Sequence, residues 1–181
     1  MNQPETEILL LLKDPDTRDR GFLVLMNTYQ KPLYAHIRRM VQSHEDAEDI
    51  LQETFILVYN HLDSFKGESK LYTWLYRIAT NECNRHFRHK DFRIRKVELD
   101  SGSVVAMEAD TEWTDSDSVL NRLQKAIRLL PNKQRLVFNL RYFDEMSYED
   151  ISNVLRTSVG TLRTTYHFAF ERIKKYMTEH D

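Results

Sequence analysis

Residues 146–177 read MSYEDISNVLRTSVGTLRTTYHFAFERIKKYM, and how this stretch folds decides the class of the whole chain. Ser147 stands three residues ahead of Asp150, a Ser-x-x-Asp capping box that opens one helix, and Ser158 is placed to cap a second. Only a tight turn fits between them. On the second helix Val159, Leu162, Tyr166, Ala169, Phe170 and Ile173 fall on one side and form a core face. The other side presents Thr161, Arg163, Thr164, Thr165, His167 and Phe168. This is the pattern of a helix-turn-helix with a reading face: Arg grips guanine, Thr bonds phosphate or a base edge, and Phe meets a thymine methyl. Yet the face carries modest charge, and the chain has a formal net charge of −2, so its attraction to phosphate must be local or assisted.

Upstream, Leu120, Leu123, Ile127 and Leu130 are spaced to form the buried face of a helix that Pro131 terminates, with Asp117 as its N-cap. Pro131 also suits the first turn of the next helix, which turns Leu136, Val137 and Leu140 inward. Composition agrees with helices. The 181 residues are 41% hydrophobic and 30% charged, with only 4 Gly and 4 Pro, which favours long helices with solvated faces over a turn-rich β architecture. The lone Cys83 allows no internal disulfide, nothing at the N-terminus resembles a secretory signal, and the apolar run ending at Lys13 is too short to span a bilayer. A reducing, cytoplasmic setting is the expectation.

The charge pattern switches in the middle of the chain. Residues 85–96, RHFRHKDFRIRK, hold six Lys and Arg with Phe87 and Phe92 among them, whereas residues 98–117 hold seven acids and no Lys or Arg. The acidic stretch has small residues and no helical period, the signature of a linker. The expected architecture is therefore all-α: a helical domain over 1–92, a flexible acidic linker over 93–116, and a helical domain over 117–181 containing the helix-turn-helix.

In the first domain Phe22, Leu25, Met26, Tyr29 and Leu33, extended by Ile37 and Met40, line one helix face, with Pro32 expected to kink or split it. After the turn QSH, residues 45–60 place Ala47, Ile50, Leu51, Thr54, Phe55 and Val58 on one side. The acids around Asp49 suggest a metal, but the run has no second His for a His-Glu-x-x-His pair and no Gly for an EF-hand turn. Ile56 falls instead on the polar side with Asp49, Gln52 and Glu53, and an apolar residue within an acidic patch suits docking of a basic helix. The loop DSFKGES comes next, then a helix expected from about residue 71 to 89 that buries some of Trp74, Leu75, Ile78 and Ala79. Cys83, His86 and His89 sweep round that helix rather than converge, so no metal or other cofactor is assigned.

The order Asp46-Ala47-Glu48-Asp49-Ile50-x-Gln52-Glu53-x-Phe55, then Tyr72-Thr73-Trp74-Leu75-Tyr76-Arg77-Ile78-Ala79-x-Asn81, resembles conserved region two of the extracytoplasmic-function (ECF) sigma factors of bacterial RNA polymerase. Leu130-Pro131-x-x-x-Arg135-x-Val137-Phe138-x-Leu140-Arg141, Met146-Ser147-Tyr148-Glu149-Asp150-Ile151 and Gly160-Thr161-Leu162-Arg163 resemble region four of the same family. The resemblance implies a non-catalytic subunit that directs promoter-specific initiation. It implies that Asp49, Gln52, Glu53 and Ile56 meet the clamp helices of core polymerase, and that the second domain meets its flap. Phe65, Lys66, Ser69, Tyr72, Trp74, Arg77, Asn81 and Arg85 would hold the minus-ten element as a melted strand, whose unstacked bases offer π-faces and free edges. The reading face of the last helix would meet the minus-thirty-five element. An anti-sigma factor is the further implied partner, with no direct membrane insertion.

The chain departs from the family pattern where Thr165, Phe168 and Phe170 replace frequent arginines and where Arg156 replaces a turn glycine. The promoter sequence therefore does not transfer from relatives. The acidic linker admits two readings, a self-repelling tether or, as the resemblance implies, a strand in a basic polymerase channel. The competing function is a stand-alone helix-turn-helix regulator, which requires tight duplex binding without polymerase.

Overall fold

The computed structural model describes residues 3–41, 43–101 and 119–180, with side chains left undescribed at 3–4 and 90–101. Helices are the only extended elements among them: α1 (Gln3–Lys13), α2 (Arg18–Val41), α3 (His44–Asn60), α4 (Leu71–Ser101), α5 (Val119–Arg128), α6 (Asn132–Tyr142), α7 (Tyr148–Leu155) and α8 (Val159–Glu179). A short 3₁₀ turn, Leu62–Ser64, stands between α3 and α4. The chain divides into two compact units, α1–α4 and α5–α8. No described helix is long and apolar enough to cross a membrane.

In the first unit α2 is the hub, packed on α1, α3 and α4. Leu25, Leu33 and Ile37 on α2, Ala47 and Val58 on α3, and Leu71, Leu75 and Ala79 on α4 are fully buried. Each large aliphatic side chain there contributes about 1.5–3 kcal/mol of transfer free energy. Gly21 is needed where α1 crosses α2, since a Cβ there would stand 2.9 Å from the Leu11 Cβ and 3.0 Å from backbone. Pro32 does not split α2, which is unbroken from Arg18 to Val41. Pro32 and Thr28 are exposed, so the carbonyl that loses its amide partner at Thr28 is open to water.

Helix α4 also departs from expectation. It continues past His89 to Ser101, because no Gly or Pro interrupts it before Gly102, and it therefore overlaps the start of the expected linker. The rest of that linker, and the Asp117 cap, lie outside the described residues.

The second unit builds its core from Ala126, Ile127 and Leu130, Phe138, and Ala169 and Ile173, with Leu123, Tyr166, Tyr176 and Met177 packed around them. Leu120 is not part of it and is 68% exposed, since it sits in the first turn of α5, ahead of the turns that face α8. Phe170 is likewise exposed rather than core. It lies about 100° round α8 from Ala169, which takes the buried position. Pro131 stands one residue ahead of the first turn of α6, at its N-cap position and without a side-chain cap bond, while Leu136, Val137 and Leu140 are buried as the sequence pattern requires.

Candidate functional site

On α3 the buried residues Ala47, Ile50, Thr54, Phe55 and Val58 fix the orientation of the helix. Asp49, Gln52, Glu53 and Ile56 are thereby turned to solvent, with Ile56 54% exposed. Ser43 caps the helix by accepting from the Asp46 amide at 3.2 Å, and Glu45 and Asp46 in the first turn complement the macrodipole. Beside this face runs an apolar groove of about 560 Å³ that Ile56 shares with Phe22, Met26, Leu51, Phe55 and Tyr59. The sequence pattern assigns Phe22, Met26 and Leu51 to the packing face, but they are only half-buried and form the groove walls instead. Phe22 meets the Tyr59 ring edge-on at 4.9 Å. The Tyr59 hydroxyl donates to Asp19 at 3.0 Å, and that bond pushes its pKa up.

The loop before α4 is held at several points. Arg18 grips Asp63 through paired bonds of 3.0 and 3.2 Å, and Gly67 takes a φ of +74° that disfavours a side chain. Phe65 then leans on Trp74 with ring centroids 5.2 Å apart. Trp74 is half-buried rather than a core residue, and from it Arg77, Asn81 and Arg85 succeed one another at steps of three and four. At about 100° per residue these lie on one face, opposite the buried Leu75, Ala79 and Cys83. The Nε of Arg77 is buried without a hydrogen-bond partner among the described residues. Lys66 is exposed and Ser69 half-buried in the loop. Tyr72 stands off the stripe, edge-on to Tyr76 at 6.3 Å with the Lys70 ammonium 5.4 Å from its ring centre.

The α3 face and the α4 stripe meet. Arg85 is paired with Glu82 on its own helix and lies 3.7 Å from Glu53 on α3. His86 faces Asp46 at 3.4 Å, while His89 is exposed and Cys83 is buried, so these three side chains do not converge. Burial pushes the Cys83 thiol up to about 12. Phe92 and the Lys and Arg residues from 90 onward lie outside the residues whose side chains are described.

In the second unit Ser147 caps α7 by accepting from the Asp150 amide at 3.0 Å, and Ser158 caps α8 by accepting from the Thr161 amide at 3.3 Å. Between them Arg156 is left-handed, at φ 51° and ψ 45°. Leu162, Ala169 and Ile173 face the core, which leaves Thr161, Arg163, Thr164, His167 and Phe168 exposed and Thr165 half-buried. The Thr164 and Thr165 hydroxyls donate to carbonyls one turn back, at 3.1 and 2.8 Å, which keeps their oxygens available as acceptors. The Arg163 guanidinium lies 5.6 Å from the ring centre of Tyr148, with Arg141 also over that ring at 5.2 Å. Glu171, one turn beyond His167 on the exposed side, adds an acid that the helical period alone locates.

Comparisons with known proteins cover the two units separately and together. The Sigma-70 region 2 family matches residues 25–93, and the Sigma-70, region 4 family matches residues 120–173. The RNA polymerase sigma-H factor of Pseudomonas aeruginosa is 33% identical over 165 residues, covering 86% of each chain. The ECF RNA polymerase sigma factor SigW of Bacillus subtilis is 34% identical over 175 residues, covering 88% of this chain and 90% of its own. Among solved structures, the sigma factor RpoE of Bartonella quintana, in complex with the anti-sigma factor NepR, matches with a TM-score of 0.73 at 25% identity. That match covers 88% of this chain and 98% of RpoE. CnrH in complex with the cytosolic domain of CnrY shares the fold, with a TM-score of 0.71 at 20% identity over 98% and 99% of the chains.

Proposed function

The chain belongs to the ECF sigma factors of bacterial RNA polymerase, and from that premise we propose how its surfaces divide the work of promoter-specific initiation. The exposed α3 face of Asp49, Gln52, Glu53 and Ile56 docks on the clamp helices of core polymerase, with the adjoining apolar groove receiving side chains from the same partner. The stripe of Trp74, Arg77, Asn81 and Arg85, with Phe65, Lys66 and Ser69 from the loop, holds the minus-ten element as a melted strand. Tyr72 supports the loop side of that surface. The exposed face of α8 reads the minus-thirty-five element in the major groove, through Thr161, Arg163, Thr164, Thr165, His167 and Phe168, while the second domain rests on the flap. The domains run over 1–92 and 117–181, with the acidic stretch between as their tether.

The observation that carries this reading is the α4 stripe. A half-buried aromatic pair, Phe65 and Trp74, leads into amide and guanidinium groups on a face that packing leaves open. Stacking on an aromatic and hydrogen bonding by Asn and Arg are what an unstacked base accepts. The factor binds and positions and does no chemistry of its own. Its two weak DNA readers act together once polymerase tethers both, through high effective concentration, so a chain of net charge −2 needs no strong duplex affinity alone. The sigma factor RpoE, similar in fold, is solved with the anti-sigma factor NepR, which supports an inhibitory partner of that kind here. The cytoplasm, where polymerase works, is the proposed location.

Transcription by reconstituted holoenzyme from a random-promoter library tests the assignment. Enriched templates should share two elements, with Asn81→Ala altering selection only at the downstream one. Enrichment of the same downstream element by the variant would remove Asn81 from the strand-binding surface.

A further inference from the structure

Lys70, ahead of α4, has no side-chain acceptor with which to cap the helix, and the leading amides of any helix look outside it for partners. One such amide of α4 belongs to Leu71, which is fully buried and has no access to water. Its partner comes from far away in sequence: the carboxylate of Glu5, on α1, accepts from the Leu71 amide. Glu5 is itself only 6% exposed. A carboxylate at this position meets both an orphan N–H and the positive end of the α4 dipole. Tyr29 of α2 lies beside it, and burial together with Glu5 pushes that phenol up to about 12.

The proposed strand-binding surface begins within one turn of Leu71. The Trp74 amide bonds to the Lys70 carbonyl at 3.2 Å, so the place of Trp74 is set by the same turn that Glu5 caps. Leu9, Leu12 and Lys13 of α1 also line one cleft with Phe65 and Leu71. Helix α1 precedes residue 25, where the Sigma-70 region 2 match begins, so that match gives it no role.

We propose that Glu5 is a positioning residue for promoter melting: α1 acts as a cap, supplied from another helix, that fixes the first turn of α4 and so the Phe65–Trp74 pair for the displaced strand. This rests on the minus-ten role of α4 given above. The cap bonds to α4 and not to the exposed α3 face, so it acts on strand binding and leaves polymerase docking alone.

The test uses holoenzyme reconstituted from core polymerase and the full chain, and a single-stranded oligonucleotide carrying the downstream element enriched from the promoter library. Glu5→Ala, Glu5→Gln and Trp74→Ala are compared for oligonucleotide affinity and for affinity to core polymerase. Loss of a buried charge-assisted bond should weaken oligonucleotide binding by roughly tenfold or more in Glu5→Ala. Glu5→Gln, which keeps an acceptor, should lose less, and both should bind polymerase within about twofold of the parent by this account. Should Glu5→Ala fail to fold, Glu5→Gln carries the comparison. Unchanged oligonucleotide affinity in the Glu5 variants while Trp74→Ala loses it would overturn the positioning role alone. Equal loss of polymerase and oligonucleotide binding would reduce Glu5 to a general structural residue and overturn it as well. If Trp74→Ala binds normally, the minus-ten assignment itself falls and the inference with it.

Discussion

Arg156 sits at the turn of the helix-turn-helix with φ 51°, where an L-residue costs about 1–2 kcal/mol over its right-handed form. Glycine removes that strain but gives up about 0.4–1 kcal/mol through the freer unfolded chain. Arg156→Gly should therefore stabilise the second domain by roughly 0.5–1 kcal/mol, read as a shift in the denaturation midpoint at constant slope. A lower midpoint would mean the arginine side chain holds the turn by contacts of its own. Cys83 gives the pH prediction. Its thiol is raised from an ordinary 9.0 to about 12, so above pH 9 the unfolded chain loses a proton that the folded chain keeps. Stability from this group is intact below pH 9 and falls as pH rises from there toward 12, and the native thiol should resist alkylation at neutral pH. Removing the thiol with Cys83→Ala should flatten that alkaline slope, at the cost of a small cavity. An unchanged slope would assign it to the tyrosines.

Helix α8 is the element whose exposed face can be tested residue by residue. Arg163 is presented by the Tyr148 ring at the start of an exposed face, so Arg163→Ala should cost about 1–3 kcal/mol of discrimination at one base of the upstream element if the contact is bidentate. Competition between promoter variants for holoenzyme measures it, and unchanged preference would remove Arg163 as a base reader. The same elements show what sequence alone made legible. Ser147 and Ser158 announced α7 and α8, because a hydroxyl with the right spacing after it is a local signal, and both caps form. The face of α3 was legible for the same reason, since Ile50, Phe55 and Val58 are buried and Glu53 and Ile56 exposed, as the helical period requires. Phe170 was misplaced into the core because a period of three and four admits two neighbouring residues, and only the packing of Ala169 chooses between them. The wall of the groove could not be read from α3 at all. Phe22 and Met26 sit on α2, and nothing local says that their packing against α3 leaves them half-buried with one side open. Glu5 escaped for a like reason: a cap that acts across 66 positions leaves no local mark.

For the whole molecule, order and spacing of the two regions were more informative than either alone, and family membership sets aside a stand-alone regulator. The unit built on α2 carries the proposed polymerase-docking and strand-binding faces side by side, joined where Glu53 approaches Arg85. That pair is exposed on both sides and contributes at most about 1 kcal/mol, so reversing Glu53 leaves the fold intact. A charged docking surface should also make the association salt-sensitive. The most direct test of the account is association of the purified chain with bacterial core RNA polymerase on size exclusion, with the parent and Glu53→Lys run side by side. A one-to-one complex is expected with the parent, and a weaker one with a Glu53→Lys chain of unchanged helicity. No complex with the parent, or a complex that charge reversal on this face leaves at full strength, would contradict it.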